Sequence, residues 1–218
     1  MLTPKTAVSS INKITSELIK SGICDDQNFA SEVKNHTETH VTFSGFNDVS
    51  IALKNVAYSE IYTHLFENRQ FNFRLLDGGL IQILYCFDQR ENLIKHRLCY
   101  FPSPSFESFQ NDPELYIDES NYYADVILKS ILPVPIRFDY DPENFQELTH
   151  PSSHMSLGQY KNCRIPIVAP ICPGNFIKFI LKSFYNTADI MLPNNFPFCL
   201  MPETIVGLER NTLHLSVS

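Results

Sequence analysis

A chain of 218 residues, 44% apolar and 12% aromatic, buries enough surface to fold as one domain over residues 1–218 without disulfide or metal staples. Its formal net charge of −7 excludes broad, sequence-independent adhesion to nucleic acid, because such adhesion depends on neutralising phosphates with Lys and Arg; only a local basic cleft remains open to that ligand. The six cysteines, Cys24, Cys86, Cys99, Cys163, Cys172 and Cys199, contain no Cys-x-x-Cys pair. That spacing favours free thiols in a reducing compartment and predicts no tightly held structural zinc, no cofactor and at most a weak, exchangeable divalent ion. The N-terminal stretch lacks a basic-then-apolar leader pattern and the apolar runs fall short of a membrane span, so the expected location is cytoplasmic, away from membranes.

In chain order the elements predict an α+β fold. Thr3-Pro4 is a helix start, Ala7, Ile11, Ile14 and Leu18 form one apolar stripe, and Gly22 stops the helix. Residues 23–36 are polar and read as loop, after which "THVTFSGF" alternates Val41 and Phe43 against Thr42 and Ser44. Between Lys54 and Glu67, Tyr58, Ile61, Tyr62 and Leu65 recur at helical spacing. "FNFRLL", "DGG", "LIQILYCF", "DQREN" and "LIKHRLCYF" then give a three-stranded antiparallel meander near residues 71–101, the Asp-Gly pair supplying its positive-φ turn. A Pro- and Ser-rich loop from Pro102 to Pro113, a helix near 119–131 and the strand "VPIRFDYD" follow. "RIPIVAP" reads as a short strand, and Pro173 opens a helix whose Phe176, Ile180 and Phe184 cover the sheet.

The stretch from Arg137 to Pro166 concentrates the charge. On a strand, Val134, Ile136, Phe138 and Tyr140 face one way, and Arg137, Asp139 and Asp141 face the other. If the end of "HPSSHMSL" is also extended, Met155 and Leu157 join the core side and place His154 opposite, with Ser156, Ser152 and His150 in phase. Only residues 142–149 separate the two segments, so they are expected as antiparallel neighbours with Asp139 touching His154.

Three chemistries suit this set of Arg137, Asp139, His150, His154 and Arg164. A histidine beside a carboxylate serves as general acid or base, or contacts a phosphate, with the arginines holding an anion. Asp139, Asp141, His150 and His154 supply ligands for a divalent ion, a weaker reading. Asp-x-Asp followed by Ser-x-His also resembles the first two motifs of the archaeal-eukaryotic primase superfamily, although the gap is too short for that fold's intervening elements and no third acidic motif is present. Each residue has a plainer use: Asp141 before Pro142-Glu143 caps a turn, Arg137 and Asp139 form a surface ion pair, and His150 before Pro151 bonds to backbone. His154 as a buried strut and Arg164 on an internal carboxylate complete that alternative.

"LIQILYCFD", "HRLCYFPSP", "PIRFDYDP", "HPSSHMSLGQYKNCRIPI" and "PGNFIKFILKSFYN" together resemble a bacterial family known as domain of unknown function 2290, over roughly residues 55–190. Residues 1–50 carry no matching motif and stand as a less matched N-terminal extension. The resemblance implies a component of anti-phage defence loci that works with a helicase-like protein, and it carries over no catalytic residue. Nucleic acid then becomes a ligand reached through that partner. Two alternatives stay open: a metal-assisted phosphodiesterase or nuclease, and a non-catalytic binding or regulatory module.

Overall fold

The computed structural model describes residues 2–46, 56–104, 134–160, 162–185 and 196–216. Helix α1 (Pro4–Lys20) starts where Thr3 Oγ1 accepts the Thr6 N–H, and its stripe of Ala7, Ile11, Ile14 and Leu18 is fully buried. Gly22, at φ +73°, turns the chain out of the helix.

The polar segment after Gly22 is where the loop expectation fails. It forms strands β1 (Cys24–Gln27) and β2 (Ala30–Lys34). Their pairing partners are distant in sequence or across a turn: β1 lies against the strand Phe73–Leu75, and β2 against β3 (Glu38–Phe43). After Cys24 the β1 side chains are polar and half-buried or exposed, and after Ala30 those of β2 are exposed, so neither shows apolar alternation. Arg74 pins Asp25 at 2.7 Å and Arg69 pins Asp26 at 2.6 Å. Helix α2 (Tyr58–Glu67) begins later than the pattern from Lys54 suggests, and it buries Ile61, Tyr62 and Leu65.

The meander is present as β4 (Phe73–Leu75), β5 (Leu80–Asp88) and β6 (Leu93–Phe101). At its first turn Gly78 has φ +86°, and a Cβ on Gly79 would come within 2.9 Å of the Tyr100 ring and the Tyr185 hydroxyl. Asp77 in the same turn is buried; it accepts the Gly79 N–H and the Tyr185 hydroxyl, 2.8 and 2.9 Å from its two oxygens. Burial pushes its carboxyl above the usual range, against these hydrogen bonds. Most of the expected Pro102–Pro113 loop and the whole expected 119–131 helix lie outside the described residues.

The chain continues with β7 (Ile136–Tyr140), a 3-10 turn (Pro142–Asn144), β8 (Ser153–Leu157), β9 (Ile165–Pro166), helix α3 (Pro173–Phe184) and the short helix α4 (Gly207–Arg210). The sheet runs β1-β4-β5-β6-β7-β8-β9, and the β2–β3 hairpin also joins it along the far end of β5. Every one of these strand pairs is antiparallel. Beyond β9 the C-terminal segment closes the edge: Leu215 N–H donates to the Pro166 carbonyl and Val168 N–H to that of Leu215, both at 2.9 Å.

Alternation sorts the sheet into two faces. One packs Ile81, Ile83, Tyr85, Leu98, Tyr100, Ile136, Phe138 and Met155 against α1 and α3. Val134, expected on this side, precedes the strand and is exposed. Among the described residues, the other face is apolar beneath α2, where Leu80, Cys99 and Phe101 lie. No helix among the described residues is long and apolar enough to cross a membrane.

Candidate functional site

Beyond that apolar patch the second face turns polar, and backbone register sets its rows. Arg97 on β6 pairs with Asp139 on β7, which pairs with His154 on β8. Arg97 Nε–H donates to Asp139 Oδ1 at 3.0 Å, and Arg137 Nε–H donates to Oδ2 at 2.5 Å. The carboxylate is therefore clamped between two guanidiniums. It is only 6% exposed. Burial alone raises such a carboxyl, but the charges of Arg137 and Arg97 outweigh burial and hold Asp139 below the usual carboxylate range.

His154 comes to 3.8 Å from Asp139 Oδ2 through Nε2, near enough for electrostatic contact and too long for a hydrogen bond. Its Nδ1–H donates to the Pro151 carbonyl at 2.8 Å, which fixes the tautomer. The ring is 2% exposed. Burial lowers its pKa, partly offset by Asp139, so the imidazole is neutral at pH 7. The His150 ring meets it edge-on at 4.9 Å, and the His150 backbone N–H donates to the Gln146 carbonyl.

Asp141 sits on the same face but turns elsewhere. Its Oδ2 accepts from Lys95 at 3.2 Å and from Asn144 at 2.9 Å, and it makes no side-chain cap to the 3-10 turn that follows. Arg164 lines an open polar pocket of about 570 Å³ together with His150, Thr149, Gln146 and Asn162. The structure thus brings Arg137, Asp139 and His154 together, sets His150 beside them, and leaves Asp141 and Arg164 at the margins.

This arrangement suits an anion better than a cation. Both Asp139 oxygens already accept from guanidiniums, Asp141 faces an ammonium, and the free Nε2 lone pair of His154 is buried. A divalent ion at Asp139, Asp141 and His154 would displace these bonds beside three positive side chains. The arginines are differently placed. Each engages Asp139 through Nε, and among the described residues their terminal amino groups have no further protein acceptor. Their side chains remain 22% and 24% exposed.

Arg97 and Lys95 escaped the reading of the Arg137–Pro166 stretch. The signal for them lay in the meander, where Lys95, Arg97 and Cys99 alternate against Leu98 and Tyr100. His40, Glu38 and Cys86, on β3 and β5, also gather on this face.

Searches of curated proteins and of solved structures give no match. A family model described as "Uncharacterized conserved protein (DUF2290)" matches residues 23–217. The match extends the resemblance over residues 55–190 in both directions and takes in β1 and β2, leaving only α1 and its turn outside. With all nine described strands and the whole polar row inside the matched span, the chain belongs to the DUF2290 family of uncharacterized conserved proteins.

Proposed function

We propose that this protein is a nucleic-acid-binding component of a bacterial anti-phage defence system, acting in the cytoplasm with a helicase-like motor, and that Arg97 and Arg137 hold a backbone phosphate. The observation that carries the biochemical half is the clamped carboxylate. Asp139 fixes both guanidiniums through Nε and leaves their paired amino groups for an oxyanion, and a pre-organised guanidinium fork suits phosphate. The defence setting and the helicase-like partner rest on the family resemblance. Binding localised to one half-open row also reconciles an anionic ligand with a net charge of −7.

The runner-up is a non-catalytic regulatory module in which the same network only stiffens β6, β7 and β8; the burial of His154 and its bond to Pro151 favour it. A metal-assisted nuclease at Asp139 is disfavoured by the charge around that carboxylate.

The test is fluorescence anisotropy of a labelled single-stranded oligonucleotide with the protein, alone and purified with its helicase-like partner, across a salt series. Arg137→Gln is expected to weaken binding and lower the slope of log K against log salt by about 1, with melting behaviour as the folding control. Wild-type complex that fails to bind at about 50 mM salt removes the reading. Cleavage of the oligonucleotide on adding divalent metal would favour the nuclease instead.

A further inference from the structure

We propose that Glu38, His40 and Cys86 form a divalent-metal site of zinc type, with one carboxylate oxygen, one imidazole nitrogen, one thiolate sulfur and a fourth position open to solvent. The site is independent of the anion reading above, since none of its three donors touches Asp139 or its arginines.

The first support is distance. Glu38 Oε2 lies 3.0 Å from His40 Nε2, Cys86 Sγ lies 3.3 Å from the same oxygen, and Sγ lies 3.9 Å from Nε2. Tetrahedral zinc, with bonds of about 2.0 Å to oxygen and nitrogen and about 2.3 Å to sulfur, needs its donors about 3.3–3.6 Å apart. The three donors therefore bracket the edges of such a tetrahedron before any ion draws them in. Small side-chain rotations suffice to complete it.

The second support is how the scaffold holds them. His40 and Cys86 are directly opposed in the β3–β5 register, and Glu38 lies two residues along the same face of β3. The turn leading into β3 is pinned by Asn35, whose Oδ1 accepts the N–H groups of Thr37 and Glu38 at 2.9 and 2.7 Å. Donors carried on paired strands are positioned more firmly than donors on loops. Cys86 forms the buried floor, whereas the Glu38 and His40 side chains are 37% and 43% exposed, which leaves the fourth corner to water or a ligand. Lys95, directly opposite Cys86 on β6, supplies positive charge on the sulfur's other flank.

Without an ion, the buried Cys86 thiol keeps its hydrogen and donates it to Glu38 Oε2. Binding must therefore expel a proton: Zn²⁺ replaces the thiol hydrogen, the sulfur becomes a metal-bound thiolate, and one H⁺ leaves to solvent with no change of oxidation state. A mixed oxygen, nitrogen and sulfur set selects a borderline-soft ion over magnesium or calcium. Three protein ligands with one open corner is the pattern of an exchangeable or reactive site, in contrast to a sealed structural one.

Cobalt(II) titrated into the chelator-treated full chain reads the geometry and the sulfur at once. The expected result is one Co²⁺ per chain, intense visible bands of a tetrahedral ion, a near-ultraviolet thiolate-to-cobalt charge-transfer band, and displacement of all of these by one equivalent of Zn²⁺. Cys86→Ser should abolish the charge-transfer band. His40→Gln, at a partly exposed position that spares the fold, should weaken binding more than tenfold, while Cys172→Ser, at a thiol on the opposite side of the molecule's core, should leave the spectrum unchanged. No binding at micromolar metal overturns the site. So does a charge-transfer band that survives Cys86→Ser in folded protein or is lost with Cys172→Ser, as do weak six-coordinate bands without sulfur character.

Discussion

On the face covered by α1 and α3, Ile83, Leu98 and Phe138 pack against Phe176 and Ile180, and the one histidine there, His96, accepts the Ile171 N–H through Nε2. On the opposite face, one residue along the same strands, Arg97, Arg137, Asp139 and His154 share a single network. The strands are common to both faces, so secondary structure cannot explain the difference; the side-chain phase does. The apolar face is held by volume and, His96 apart, is indifferent to pH and salt, whereas the polar face is held by paired charge, which responds to both and leaves donors over for a ligand.

Removing Asp139 breaks the comparison most severely. Asp139→Ala leaves two part-buried guanidiniums facing each other without a counter-charge, and an expected loss of about 3–5 kcal/mol follows. Phe176→Ala on the other face should cost a similar ~3–5 kcal/mol by opening a cavity. Acid separates the two. The folded Asp139 carboxyl titrates below its unfolded value of about 3.9, so its stabilisation is complete above that pH and fades as pH falls through the folded value. Urea denaturation at pH 7 and near pH 3 should therefore show the Asp139→Ala penalty shrinking and the Phe176→Ala penalty unchanged. Equal shrinkage in both would remove the paired-charge account.

His96 sharpens the contrast from the apolar side. Burial lowers its pKa to about 4, and an unfolded histidine titrates near 6.5. Between these values the unfolded chain binds the proton and the folded one does not, so stability is full above about pH 6.5 and falls on acidification. At about 1.4 kcal/mol per pH unit the window is worth about 3 kcal/mol. His96→Gln, whose amide oxygen can accept the Ile171 N–H, should flatten the stability profile between pH 6.5 and 4. A profile as steep as wild type would place the acid sensitivity elsewhere.

The smallest expected effect is at His154. His154→Gln disturbs the bond to Pro151 and should cost about 1–3 kcal/mol. Thermal stability and the proposed phage protection measured side by side, with Arg164→Gln for comparison, separate a strut from a working ring. Protection that tracks the folded fraction marks a positioning residue. Protection lost from stably folded protein marks a functional proton.

The meander was legible because Asp77-Gly78 and Asp88–Asn92 punctuate runs rich in Ile, Leu, Phe and Tyr. The pairing of β7 with β8 was legible too, since Phe138 and Met155 alternate against Asp139 and His154 within a short span. Arg97 was not, because it meets Asp139 across 42 residues through a register that no local pattern encodes. The same holds for His40 and Cys86, 46 residues apart. Strands β1 and β2 stayed hidden because edge strands with charged side chains, such as Asp25, Asp26, Glu32 and Lys34, look like loop when read alone. Cysteine spacing tests only for ligands close in sequence, so it was silent on a carboxylate, an imidazole and a thiol drawn from two strands.

The closing of β9 by the C-terminal segment bears on how copies of the chain meet one another. A sheet this wide presents two rims on which a second molecule's strand can dock, the usual route to edge-to-edge polymerisation. At one rim β9 is two residues long, Pro166 has no N–H to offer, and its carbonyl is already taken by Leu215. At the other, β1 and β2 are the outer strands and both carry charged side chains, Asp25 and Asp26 on the one and Glu32 and Lys34 on the other, which a docking strand would have to accommodate. Both rims therefore discourage strand exchange, and crowded molecules are left to meet through side chains instead of shared backbone ladders.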